Sequence, residues 1–276
     1  AQTVPPCTLE ITDAETFARD WTVIDVNSDV SANTWAYNDG NAMYAQDTRN
    51  AADDWLIAPA VTLEAGKAYK VSAYVKHDGM TFDKQKIELK IGTAPTVEGL
   101  TIRLVYDESF QSKLFVEKSG TFSPAESGVF YVGLHCSSGS YMGDLYFQKI
   151  VIEEAPVYPA QITDLSIVAG ERGAMSATLS WTWPSSDHLG GALSSLSGAK
   201  IYRGTDLVAT LDTATVGGKA GWIDSSIETA GIYKYKVVAY NTFGDAQGSA
   251  TTVTSPWIGN DAPAAVTDLV ASAEDA

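Results

Sequence analysis

An all-β protein is what this 276-residue chain predicts. Three observations carry that expectation. Apolar residues recur at every second position, no segment sustains a helical period, and Gly, Asp, Asn and Ser punctuate the alternating runs. In "AYKVSAYVKH", Tyr69, Val71, Ala73 and Val75 share one face, with Lys70, Ser72 and Lys76 on the other. "KIELKIG" repeats the pattern with Ile87, Leu89 and Ile91, and "GVFYVGLHC" with Phe130, Val132, Leu134 and Cys136. Only "DAETFARDW" allows a short helical turn.

The composition limits the partners. A hydrophobic fraction of 45% and an aromatic fraction of 10% support packed cores. Lys and Arg total 18 against 34 Asp and Glu, a net charge of -16. Such a surface repels nucleic acid and anionic membranes, and no basic stripe interleaved with aromatics relieves it. Nucleic acid is therefore excluded as a partner. No apolar run approaches the roughly 18 residues that span a bilayer, so no membrane insertion is expected within this chain. The opening "AQTVPP" suits a mature N-terminus after signal cleavage, as it would any chosen boundary.

Of the two cysteines, Cys7 sits in phase with Leu9 and Ile11, and Cys136 with Leu134. Both point inward on this reading. Neither belongs to a CxxC pair, which excludes a zinc ribbon or thioredoxin motif. A Cys7–Cys136 disulfide and two buried free thiols fit the alternation equally.

A boundary falls at "IEEAPVYPAQ", where two prolines follow an acidic strand end as a short, stiff linker. "PAQITDLSIVAGE", starting at Pro159, recurs as "PAAVTDLVASAED", starting at Pro263. A period of about 100 residues suits a tandem sandwich domain rather than a solenoid. Three segments follow: residues 1–155, residues 156–260, and residues 261–276 as linker and first strand of a truncated repeat. The natural protein is expected to continue beyond Ala276.

Residues 159 to about 258 resemble a fibronectin type III domain. "ATLSWTWP" is similar to its strand B, with Trp181 as the core Trp, and "GIYKYKVVAYNTFGDA" is similar to strand F and the turn after it. The family's Y-x-V-x-A-x-N-x-x-G run reads here as Tyr235, Val237, Ala239, Asn241 and Gly244. Tyr233 is the candidate for the tyrosine-corner position, and Trp183, Trp222 and Trp257 read as packing residues. Such modules are mostly spacers or binding modules.

Residues 7 to 153 resemble the cleaved-adhesin, or choice-of-anchor J, domain of Bacteroidetes surface proteins, which include the adhesin regions of gingipains. The resemblance rests on "ETFARDWTVIDVNSDVSANTWAYN", on "ADDWLIAPAVTLEAGKAYKVSAYV" in the right order and spacing, and on the closing strand "GDLYFQKIVIEE". It implies an N-terminal jelly-roll β-sandwich, so the whole chain is expected to be a jelly roll followed by a type III sandwich.

Asp25, Asn27 and Asp29 in "DVNSDVSAN" concentrate hard oxygen ligands at i, i+2 and i+4, as Ca²⁺ requires. The loop is not an EF-hand, because Val30 stands where Gly is needed and no Glu closes it. The resemblance implies structural calcium here, although Gln148 and Lys149 replace acidic residues that the family commonly carries in its last strand. The alternative is a solvated Asx-rich turn.

Asp53 and Asp54 are read as a turn before a strand. Adjacent strand residues face opposite ways, whereas a carboxylate pair must converge across a cleft. His77, His135 and His188 lie far in sequence from any Ser/Asp constellation, and neither GxGxxG nor GxSxG occurs. Trp35, Tyr37, Tyr44, Tyr141 and Tyr146 could form a sugar-stacking platform, though strand aromatics more often fill cores. The expectation is a non-enzymatic secreted or cell-surface adhesin-like protein that binds glycan or host protein ligands, with no catalytic residues and no cofactor except structural Ca²⁺. The alternative is an accessory region of a larger secreted glycosidase or protease.

Overall fold

The computed structural model describes residues 3–29, 34–45, 49–259, Thr267 and Val270. The sequence repeat at 263–276 thus lies outside the described residues, apart from those last two. The chain divides into two compact units. The first holds Ala1–Tyr158 with Ser185–Ser195, and the second Pro159–Pro184 with Leu196–Ala276.

The first unit opens with β1 (Cys7–Glu10), then α1 (Ala14–Asp20), β2 (Thr22–Asp25), β3 (Trp35–Asn38), β4 (Asn41–Tyr44), β5 (Asp54–Ile57) and β6 (Val61–Leu63). The long strands follow: β7 (Ala68–Asp78), β8 (Gln85–Gly92), β9 (Ile102–Phe110), β10 (Val116–Phe122), β11 (Gly128–Cys136) and β12 (Asp144–Ala155). The short turn expected at "DAETFARDW" is the helix α1. Asp13 caps it, its carboxylate accepting the Thr16 N–H at 2.7 Å, while Glu15 and Arg19 complement the helix dipole.

Two antiparallel sheets result. One runs β10-β7-β12-β4-β3, with β1 also on β12. The other runs β2-β5-β11-β8-β9, with β6 also on β11. The alternation read from sequence sets their inner faces: Tyr69, Val71, Ala73 and Val75 from one sheet join Ile87, Leu89, Ile91, Phe130, Val132 and Leu134 from the other in one core. Each large apolar side chain buried there contributes about 1.5–3 kcal/mol. The sheet of β12 bulges between Phe147 and Lys149, which takes Gln148 out of register.

The outer face of the second sheet carries a smaller apolar cluster of Trp55, Ile57 and Leu100, with Val97 and Tyr131 packed against it. The segment between β8 and β9 therefore covers part of this face. Close approach requires glycine there, since a Cβ on Gly92 would lie 1.8 Å from the Gly99 carbonyl oxygen.

The Cys7–Cys136 disulfide is not formed; both thiols are free. Cys7 pairs with Ile152 in one sheet and Cys136 with Asp54 and Ile87 in the other. Alternation put each thiol inward, but it carries no information on whether two inward residues meet. Cys136 is wholly buried beside Gln85 and Ser138, and burial pushes its thiol up to about 11.

The second unit contains β13 (Ser166–Ala169), β14 (Ala177–Thr182), β15 (Gly198–Arg203), β16 (Asp206–Leu211), β17 (Lys219–Asp224), β18 (Lys234–Asn241), β19 (Gly244–Asp245) and β20 (Thr252–Thr254). They form one sheet of order β13-β14-β17 and another of order β16-β15-β18-β19, with β20 on β18. Trp181, Trp183, Tyr235, Val237 and Ala239 share its core, and Trp222 packs against it. Trp257 is exposed, contrary to its reading as a packing residue, because it follows β20 on an irregular segment. The Tyr233 hydroxyl donates to the Thr229 carbonyl at 2.5 Å. All described strand pairings are antiparallel, and among the described residues no helix is long and apolar enough to cross a membrane.

Candidate functional site

The Asp25–Asp29 loop begins where β2 ends, and the β2–β5 register sets Asp25 directly opposite Asp54. Asp25 Oδ1 accepts the Ser28 N–H at 2.7 Å, which closes a local turn with Ser28 at φ +50°. Asn27 Nδ2 donates to the Ala51 carbonyl at 2.7 Å, and the Val26 N–H bonds the Asp53 carbonyl at 2.9 Å. The loop is thus tied to the segment before β5.

Asp54 is fully buried, not a solvated turn residue. Its Oδ2 accepts the Asp53 N–H at 3.1 Å, while Oδ1 has no well-formed hydrogen bond among the described residues. The Tyr44 hydroxyl and Thr34 Oγ1 are buried in the same condition. Burial pushes the Asp54 carboxyl up to about 6; Thr34 and the Asp53 N–H oppose the rise, and the charges of Asp25 and Asp29 add to it. Burial also raises the Tyr44 phenol well above its ordinary value, with Asp54 contributing. Asp54 is thus a buried carboxylate set opposite Asp25 across the β2–β5 pair. Among the described residues no three His, Cys, Asp or Glu side chains converge in a ready-made metal geometry. Residues 30–33, next to Asp29, are not described.

Asp53 points the other way. It borders an open cleft of about 510 Å³ on the outer face of the second sheet. Register places Trp55, His135, Glu88 and Tyr106 in one cross-strand row over β5, β11, β8 and β9. Trp55 and His135 stack at a centroid distance of 4.2 Å and an interplanar angle of 5°. His135 Nε2 lies 2.7 Å from Asp53 Oδ1, and Nδ1 lies 3.6 Å from Glu88 Oε2. Arg103 Nε donates to Glu88 Oε1, and its guanidinium lies 4.6 Å from the Tyr106 ring centroid. Lys90 sits 5.5 Å from the Trp55 ring and Lys86 5.6 Å from that of Tyr106.

Sequence reasoning left His135 isolated, and here it departs from the structure. Asp53 and His135 are distant in the chain but meet because β5 and β11 are hydrogen-bonded neighbours. The alternation that sends Leu134 and Cys136 inward also sends His135 outward, which was the available signal; nothing local named its partners. The aromatic platform suggested by sequence is not assembled. Trp35 and Tyr44 pack edge to face in the core at 5.9 Å, Tyr37 packs partly against that core, Tyr146 stands under Lys76, and Tyr141 is exposed on a loop. His77 is buried, with Nε2 2.6 Å from the Met142 carbonyl. His188 is held beside the Tyr158 carbonyl at 3.3 Å.

No known family model matches the chain, and no curated protein matches it significantly. Solved structures give partial likenesses. The K3 cleaved adhesin domain of Lys-gingipain from Porphyromonas gingivalis W83 is 12% identical over 52% of this chain and 98% of that one, with a TM-score of 0.41. The glycoside hydrolase domain of Endo-D from Streptococcus pneumoniae R6 is 15% identical over 85% of this chain and 37% of that one, with a TM-score of 0.33. A carbohydrate-binding module, CBM4, is 15% identical over 54% of this chain and 95% of that one, with a TM-score of 0.37. At these values the likenesses assign the chain to no family.

Proposed function

We propose that this protein is a non-enzymatic, secreted or cell-surface adhesin-like protein whose first unit binds glycans in the cleft over β5, β11, β8 and β9. The observation that carries this reading is the row His135–Glu88–Tyr106, backed by the buried Trp55 and flanked by Asp53 and Arg103. Sugars present hydroxyl groups and apolar ring faces. An exposed tyrosine ring beside fixed carboxylate and guanidinium groups offers a partner for each. The cations here already lie against Glu88 or an aromatic ring, which favours neutral over acidic sugars. In this reading the first unit is a jelly roll over residues 1–155, and the second a type III spacer over residues 156–260. The Tyr233–Thr229 hydrogen bond supports the second assignment.

Asp25, Asn27 and Asp29 would hold a structural Ca²⁺, with Asp54 as a further ligand that sequence reasoning left out. Its burial opposite Asp25 supports that addition.

The test is a fluorescent copy of the whole chain applied to an array of neutral and acidic glycans and of extracellular matrix proteins. Binding to neutral glycans that falls on Tyr106→Ala supports the reading. Binding to matrix proteins alone, unmoved by Tyr106→Ala, would replace it.

A further inference from the structure

One end of the first unit displays large apolar side chains that stand exposed among the described residues. Met80 is 77% exposed and Phe82 90% exposed, between β7 and β8; Leu114 is 76% exposed, between β9 and β10; Tyr141 is 64% exposed, between β11 and β12. Single exposed apolar residues are ordinary, but four on three adjoining loops are not.

These loops are bound to one another. Gln111 Nε2 donates to the carbonyls of Met80, Thr81 and Asp83 at 3.1, 2.8 and 3.0 Å, and Lys113 Nζ donates to that of Gly79. The His77 N–H donates to the Ser112 carbonyl at 2.7 Å. Gln85 Nε2 donates to the carbonyls of Met142 and Gly143 at 3.0 and 2.6 Å. Gly143 lies so close to Gly79 that a Cβ there would be 2.4 Å from the Gly79 Cα. Tyr141 holds a left-handed backbone, φ +63°, which costs energy for a residue with a Cβ. The side chains are presented by a cross-braced crown.

We infer that this crown docks on a lipid surface, a zwitterionic bilayer rather than an anionic one. Three features select that occupant. The side chains come from three separate loops and each is more than three-fifths exposed, so a bilayer can take them without a matching pocket. Phe, Leu and Met suit the acyl boundary, and Tyr suits the headgroup level. The loop acids are engaged within the crown, Asp78 by Lys113 and Asp83 by the Met80 N–H, while Lys84 is an exposed cation available to lipid phosphate. The net charge of -16 opposes an anionic bilayer.

Co-sedimentation of the whole chain with pure phosphatidylcholine vesicles tests this, because such vesicles carry no sugar and bypass the glycan cleft. The parent chain should pellet with the vesicles. The double variant Phe82→Ser/Leu114→Ser should partition at least tenfold less while keeping its melting temperature, and Tyr106→Ala should partition as the parent does. No pelleting of the parent, pelleting only when anionic lipid is added, or equal pelleting of the double variant would each overturn the proposal. Lipid-free self-association that the double variant abolishes, without vesicle binding, would overturn it in favour of a second copy of this chain.

Discussion

Asp53 and Asp54 are neighbours in the chain and face opposite sides of one sheet. Asp53 bonds His135 in the outer cleft, and Asp54 is buried opposite Asp25. The doublet therefore divides between the outer cleft and the buried side of the sheet. It is not a pair of catalytic carboxylates, since the two groups do not converge on one space.

Calcium should raise the melting temperature of the chelator-treated protein. At a hundredfold excess over Kd the ion contributes about 2.7 kcal/mol. Asp54→Asn removes a buried charge, so it should raise the melting temperature in chelator and reduce the calcium response. Parallel melts of both proteins, with chelator and with added Ca²⁺, check this. An unchanged parent melt in chelator would remove the ion from the account.

Arg103→Ala and Tyr106→Ala should each weaken glycan binding at least tenfold, about 1.4 kcal/mol. Both side chains are substantially exposed, so Tyr106→Ala should hold the melting temperature, whereas Arg103→Ala takes the nearest cation from the buried Glu88 and should lower it. Titration of an array-positive glycan by calorimetry measures the loss directly.

In the second unit, Asp224 is fully buried and accepts from Arg203 and the Tyr235 hydroxyl, each at 2.7 Å. Burial alone would raise its carboxyl, but the hydrogen bonds from Ser226 and Tyr235 and the charge of Arg203 outweigh it and hold the group below its ordinary value. A lowered carboxylate stabilises the fold fully above the unfolded value of 3.8. That stability is lost as pH falls through the lower folded value. Asp224→Ala should cost about 3 kcal/mol at neutral pH, since it strands a largely buried Arg203. It should also flatten the loss of stability below about pH 4. Urea melts at neutral and acidic pH separate the two effects.

Because both thiols are free, a reductant should leave the melting temperature unchanged. Alkylation of the denatured, unreduced chain should add two labels. In the native state Cys136 should resist labelling, as its thiol is buried and raised. Intact mass measurement reads both results.

The strand content and the inward residues were legible because a strand alternates with period two and one face must leave water. Tyr69, Val71, Ala73 and Val75 needed no tertiary knowledge, nor did the inward Cys136. The burial of Asp54 was not legible, because an acidic residue beside Asp53 looks like a polar turn until β2 and β11 close on either side of it. The aromatics misled for a related reason. Trp35 and Tyr44 have the composition of a sugar platform, but their strands turn them inward.

By itself the sequence determined an all-β chain, the facing of its long strands, and an acidity that turns away polyanions. Those are local or summed properties, set by side-chain period and charge. Only the tertiary structure decided that His135 meets Asp53 and Glu88, that the two cysteines stay apart, and that three loops brace one apolar crown. Each depends on which strands are neighbours. That choice is made by long-range pairing and burial, which no short stretch of sequence encodes.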